Sequence, residues 1–129
     1  MTNQDEQSVL LIVAEDDPML LLNSVEVLEA GGFEVLTATN GTDATAIIDE
    51  HAGASAGLIT DIQLGEGPTG WALAHHARSL KPGIAVVYVS GDSASHWPVE
   101  GVPLSIFIQK PYADAQMLTA IAELLNGSH

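Results

Sequence analysis

Four short stretches of this 129-residue chain place reactive oxygens or an ammonium group directly after an apolar run. Glu15, Asp16 and Asp17 follow VLLIVA (9–14), Asp61 follows GLIT (57–60), Ser90 follows IAVVYV (84–89), and Lys110 lies just beyond LSIFI (104–108). If Glu15, Asp16 and Asp61 were brought together, each pair would repel by roughly 4 kcal/mol at about 4 Å and an effective dielectric of about 20. Such a set calls for a cation. Oxygen-only donors favour a hard, partly hydrated Mg²⁺ held by one to three carboxylates over an all-protein Ca²⁺ cage. Asp17, directly before Pro18, reads instead as a helix N-cap. Lys110 is placed to pair with Asp61 at rest and with an incoming phosphoryl oxygen later, and Ser90 to donate a hydrogen bond to the same group. A carboxylate nucleophile, a divalent cation, a hydroxyl donor and a lysine are the parts needed to make and hold an aspartyl phosphate.

Those residues meet only if the chain folds in a particular way. Five apolar runs, the four above and FEVLTA (33–38), are separated by helix-length amphipathic stretches, which predicts βα repeats and a parallel sheet. The first and fourth runs are apolar without alternation, as central strands covered on both faces would be. Phe33-Glu34-Val35 and Leu104-Ser105-Ile106 alternate, as flanking strands would. Asp17-Pro18 opens the first helix and Gly31-Gly32 ends it, Thr42, Gly70 and Asp114 mark further helix starts, and Asn126-Gly127 reads as a stop. The economical fold is a doubly wound five-stranded (βα)₅ sheet of flavodoxin-like order 2-1-3-4-5. Its ligands sit at the carboxyl ends of the strands. One domain is expected over residues 8–125, with a disordered lead at 1–7 and a tail at 126–129.

The loop LITDIQLGEGPTGW (58–71) also contains a literal G-x-G-x-x-G at Gly65, Gly67 and Gly70, with Asp92 about twenty residues beyond, as a dinucleotide-binding enzyme would have. In that fingerprint the first glycine sits tight against the strand. Here Asp61 to Leu64 intervene, Glu66 adds repulsive charge and Pro68 removes an amide. A flavin site fares worse, because the first loop is acidic where phosphate would lie. The glycines are expected to turn an irregular loop while Asp61 carries the chemistry.

Composition narrows the partners. Arg78, Lys81 and Lys110 stand against seventeen acids, for a formal charge of −14, which repels nucleic acid and anionic lipid. The absence of cysteine excludes disulfides and thiolate chemistry. The five histidines include the adjacent His75 and His76 and the isolated His51 and His96, and no two are spaced as metal ligands on a helix. The apolar run at 9–14 is too short for a signal sequence or a membrane span, so a cytoplasmic protein is expected.

Glu15-Asp16-Asp17-Pro18, Leu58-Ile59-Thr60-Asp61, Val89-Ser90-Gly91 and Phe107-Ile108-Gln109-Lys110-Pro111, in this order, resemble the receiver domain of two-component response regulators across almost the whole chain. The resemblance implies a stand-alone phosphoacceptor: Asp61 takes phosphate from a histidine kinase or histidine phosphotransfer protein, and Glu15 and Asp16 form the acidic pair. It further implies that Asp16, Asp61 and the backbone carbonyl of Gln63 ligate Mg²⁺, that Ser90 and Lys110 bind the phosphoryl group, and that Lys110-Pro111 is a cis peptide. Ser90 and Phe107 would form the switch. With no effector segment after Leu125, output is expected through a downstream protein partner or self-association. Two departures stand out: the loop between Asp61 and Gly70 is one residue longer than usual, with Gly65 in place of a proline, and the 91–103 segment is short, with Pro98 interrupting the fourth helix.

The first helix, PMLLLNSVEVLEA, carries more apolar residues than one buried stripe uses. Leu20, Ser24, Val27 and Leu28 supply the buried face, Leu21 lies between faces, and Met19, Leu22 and Val25 are left for docking, which the resemblance places against a histidine-bearing bundle. A receiver-like module that only binds partners, without phosphorylation, shares the same fold. Retention of Asp61, Asp16 and Lys110 argues against it.

Overall fold

The computed structural model describes residues 8–91 and 97–127. The expected lead at 1–7, Asp92, His96 and the last two residues of the tail lie outside the described residues. Strands β1 (Val9–Ala14), β2 (Phe33–Ala38), β3 (Gly57–Asp61), β4 (Ala85–Ser90) and β5 (Ser105–Gln109) alternate with helices α1 (Pro18–Ala30), α2 (Gly41–His51), α3 (Gly70–Leu80), α4 (Trp97–Glu100) and α5 (Asp114–Leu125). The strands form one parallel sheet in the order β2-β1-β3-β4-β5.

The two-residue period of the strands sorts the core into two layers. Ile12, Leu58, Val86 and Tyr88 face α2 and α3, where Ala44, Ile48, Leu73 and Ala77 complete one cluster. Leu11, Val13, Ile59, Val87 and Val89 face the other way, onto Leu28 of α1 and Met117 and Ile121 of α5. Every residue of β3 and β4 is buried, whereas β2 and β5 at the edges keep exposed positions. That contrast underlies the continuous apolar runs inside and the alternation outside.

The helix ends follow local chemistry. Asp17 Oδ1 accepts from the Met19 and Leu20 amides at 2.9 and 3.2 Å, with Pro18 at the first helical position. Helix α2 begins at Gly41, one residue before the expected Thr42, because Asn40 is the cap, accepting from the Asp43 amide at 2.8 Å. Gly70 and Asp114 are first helical residues, the former capped by Thr69. Ahead of α5, the Gln116 side chain accepts the Ala113 N–H at 2.8 Å. Helix α5 stops at Leu125, and Gly127 adopts φ 80°.

Helix α4 is a single four-residue turn, Trp97–Glu100, with Pro98 within it.

Candidate functional site

The sheet order places the ends of β1, β3, β4 and β5 side by side, and the reactive residues sit at those ends. An open cleft of about 510 Å³ is lined by Asp16, Asp61, Gln63, Gly65, Ser90, Gly91 and Lys110. Asp61, at the end of the fully buried β3, is 7% exposed. One carboxylate oxygen, Oδ1, accepts from the Ile62 amide at 2.6 Å and the Gln63 amide at 3.3 Å. The other, Oδ2, accepts from Lys110 Nζ at 2.8 Å. The same ammonium lies 3.1 Å from Glu15 Oε1, so one cation bridges two acids.

Glu15 stands behind the cleft rather than in its wall. It is 3% exposed, and its second carboxylate oxygen accepts from the Asp17 amide at 3.1 Å. Burial pushes its carboxyl up to about 7; the Asp17 amide pulls it down, Asp61 adds to the rise, and Lys110 again opposes it. Burial alone would lower the Lys110 ammonium. Its hydrogen bonds to Asp61 and Glu15 and the negative charge of both together outweigh that, and it lies above the ordinary lysine value.

The remaining pieces are held by backbone. Lys110 N–H donates to the Ser90 carbonyl at 2.8 Å, locking the end of β5 to the end of β4, where Ser90 is 3% exposed. The Gln109 side-chain amide donates to the Gly91 carbonyl, and the Lys110–Pro111 peptide is cis. Thr60, not singled out by the sequence, donates its hydroxyl to the Asp61 carbonyl at 2.7 Å. Phe107 is half-buried, with its ring centroid 6.3 Å from those of both Trp71 and Trp97.

Glu15, Asp16 and Asp61 each offer an oxygen within 4.8 Å of the others, and the exposed Gln63 borders the same space. Three hard oxygens this close together, with no nitrogen or sulfur donor among them, suit a small divalent cation such as Mg²⁺. The docking candidates separate by exposure. Met19 is 74% and Leu22 55% exposed, whereas Val25 is half-buried and Leu21 packs onto the α1–α5 core.

The glycine fingerprint resolves into other duties. Gly65 and Gly67 adopt φ of 75° and 90°, which turn the loop, while Gly70 lets the start of α3 approach the backbone of Asp61. A Cβ on Gly70 would lie 2.1 Å from the Asp61 carbonyl oxygen. The sequence signal for that role was the glycine's position at the first turn of a helix, directly after the loop.

A five-stranded parallel sheet of this order, with acids and a lysine converging at its carboxyl edge, defines an open α/β domain whose ligand site lies beside the β1–β3 switch point. The chain belongs to the response regulator receiver domains, a family it matches over residues 11–122. A crystal structure of a response regulator receiver protein from Sinorhizobium medicae WSM419 shares 37% identity at a TM-score of 0.90, covering 95% of this chain and 98% of that one. The receiver domain of the hybrid histidine kinase CckA shares 26% at a TM-score of 0.76, covering 90% and 98%. The sensor kinase CckA of Brucella abortus (strain 2308) is 27% identical over 123 residues. That alignment takes in 92% of this chain and 13% of the kinase. Among the described residues no helix is long and apolar enough to cross a membrane.

Proposed function

We propose that this receiver domain accepts a phosphoryl group on Asp61 from a phosphohistidine donor, a histidine kinase or a histidine phosphotransfer protein, and signals by changing its association with a protein partner. The observation that carries this reading is the state of the Asp61 carboxylate. It lies on the wall of an open cleft, ionically paired with Lys110 and oriented by two backbone amides. An Asp61 oxygen attacks phosphorus, the P–N bond to the donor imidazole breaks, and the electron pair leaves on that nitrogen. Lys110, already within reach of Asp61, is placed to turn from carboxylate to phosphoryl oxygen, and the Ser90 hydroxyl to donate to another. Mg²⁺, held by Asp16, Asp61 and the Gln63 carbonyl with Glu15 behind, would offset the negative charge that otherwise repels the incoming anion.

The retained hydrogen-bonded set of Glu15, Asp61 and Lys110 favours this reading over a module that binds without phosphorylation. Incubation with a small-molecule phosphodonor and Mg²⁺ should add one phosphoryl mass. Asp61→Asn and a chelator should each abolish the gain, and Asp16→Asn should raise the Mg²⁺ needed. Undiminished labelling in chelator, or in Asp61→Asn, would overturn the assignment.

A further inference from the structure

The segment that carries Asp61 onward, residues 62–69, does not rest on its own helix alone. Its apex lies against the first turn of α2, backbone on backbone. Gly41 N–H donates to the Glu66 carbonyl at 2.8 Å and Thr42 N–H to the same oxygen at 3.3 Å. Amides in a helix's first turn have no intrahelical acceptor, and here a loop carbonyl satisfies two of them. No side chain fits between the two segments. A Cβ on Gly41 would lie 2.1 Å from the Pro68 carbonyl oxygen and 2.7 Å from Pro68 N. From the other side, a Cβ on Gly67 would lie 2.4 Å from Thr42 N. The neighbours on both sides include main chain, which cannot swing away as a flexible side chain would.

The far end of the same segment is fixed as tightly. Gly70 N–H donates to the Ile62 carbonyl at 2.8 Å, and the loop's own Ile62 and Leu64 are buried in the core shared with Ala44 and Ile48 of α2. Between these two anchors stand the groups that matter for the site: the Ile62 and Gln63 amides that hold Asp61 Oδ1, and the residue whose carbonyl is the proposed metal ligand.

We propose that Gly41 and Gly67 are positioning residues of the phosphoacceptor site: their close contact clamps the 62–69 loop against α2 and thereby fixes the Asp61 carboxylate and the Gln63 carbonyl for metal and phosphoryl binding. The inference rests on the phosphoacceptor reading above. The two glycines stand 26 positions apart in the chain and permit main chain to meet main chain there.

Gly41→Ala must lift the loop apex away from α2. Outer partners that orient metal ligands typically contribute about tenfold or more to metal affinity. Gly41→Ala is therefore expected to raise the Mg²⁺ dissociation constant, read by calorimetry, about tenfold and to slow labelling by a small-molecule phosphodonor. In the metal-free protein it should also speed amide exchange over 62–70. Gly67→Ala presses on the same contact from the opposite side and in addition strains a backbone at φ 90°, so its effect should be at least as large, and it serves if Gly41→Ala does not fold. Ile121→Val, in the distant α1–α5 core, controls for destabilisation and should lower the melting temperature while keeping wild-type Mg²⁺ affinity. Wild-type Mg²⁺ affinity and unchanged loop exchange in a folded clamp variant would overturn the clamp, as would an equal loss of affinity in Ile121→Val. A wild-type protein that gains no phosphoryl mass overturns the phosphoacceptor reading instead, and amide exchange over 62–70 still reports on the clamp.

Discussion

The hydroxyl of Tyr88 belongs to a fully buried ring on β4 and accepts the Val102 N–H at 3.0 Å. Burial raises its pKa above the ordinary tyrosine value; the Val102 amide and Arg78 pull the other way and do not offset it. For an acid whose folded value is raised, the linked stability is fully present below the unfolded pKa of about 10 and is lost as pH climbs through the folded value. Tyr88→Phe should therefore cost roughly 1–3 kcal/mol at neutral pH, because Val102 N–H is left without an acceptor. The gap to wild type should narrow above about pH 10. Urea titrations across that range check it, and a gap independent of pH would sink the account. Legibility at this scale was uneven. That Asp61, Ser90 and Lys110 meet at one edge could be read directly, since each follows an apolar run whose end a parallel sheet brings there. The Tyr88–Val102 bond could not, because nothing near Tyr88 in sequence specifies a partner fourteen residues on.

Elements were legible where periodicity is local and blurred where a distant segment decides. The strand runs matched to within a residue, because an uninterrupted apolar run bounded by turn residues has few other uses in a parallel sheet. The start of α2 was displaced because the Asn40 cap, with the Glu66 carbonyl accepting from the Gly41 and Thr42 amides, begins the helix one residue earlier. Leu104 adopts φ 58°, which no leucine advertises, and the strained turn is held by Arg78, whose guanidinium donates to the Pro103 and Leu104 carbonyls. These ties bear on the proposed Ser90–Phe107 switch. Trp97, Val102 and Ser105 form a chain of bonds from α4 to β5, with Trp97 Nε1–H donating to Ser105 Oγ at 2.9 Å and Ser105 Oγ–H to the Val102 carbonyl at 2.7 Å. Phe107 lies beneath it between two tryptophans. If a phosphoryl group draws Ser90 inward and Phe107 moves into the space, this short segment and β5 should carry the response. Phosphorylation should then alter the fluorescence of Trp71 and Trp97, which flank Phe107, and Ser90→Ala, phosphorylated to the same extent as wild type, should lose that change and the gain in partner binding. Wild-type partner affinity in that variant would remove Ser90 from the switch.

Across the whole molecule, the charge of −14 is not relieved by free cations. Arg78 donates to three backbone carbonyls, Lys81 to that of Ser55, and Lys110 is engaged in the site, so all three basic side chains face inward obligations. A partner approaching the cleft meets acids, and the apolar relief beside them lies on α1. Met19 and Leu22 are the exposed members there, and the same helix contributes Leu20 and Asn23 to an apolar pocket completed by Lys110, Pro111 and Tyr112 at the cis-proline. Contiguous exposed apolar groups mark interaction sites, and we propose this one as the docking surface for the phosphodonor protein. Val25, named with them from the sequence, is half-buried and would confound a test by disturbing packing. The sharper variant is Met19→Glu with Leu22→Glu. Both side chains are mostly exposed, so thermal stability should stay within about 0.5 kcal/mol of wild type. Phosphotransfer from a cognate protein donor should slow by about tenfold or more, since each charge must be desolvated or repelled at the contact. Labelling by a small-molecule donor, which needs only the cleft, should be unchanged. Equal loss with both donors would place these residues in the chemistry of the site, and unchanged rates with both would move the docking surface off α1.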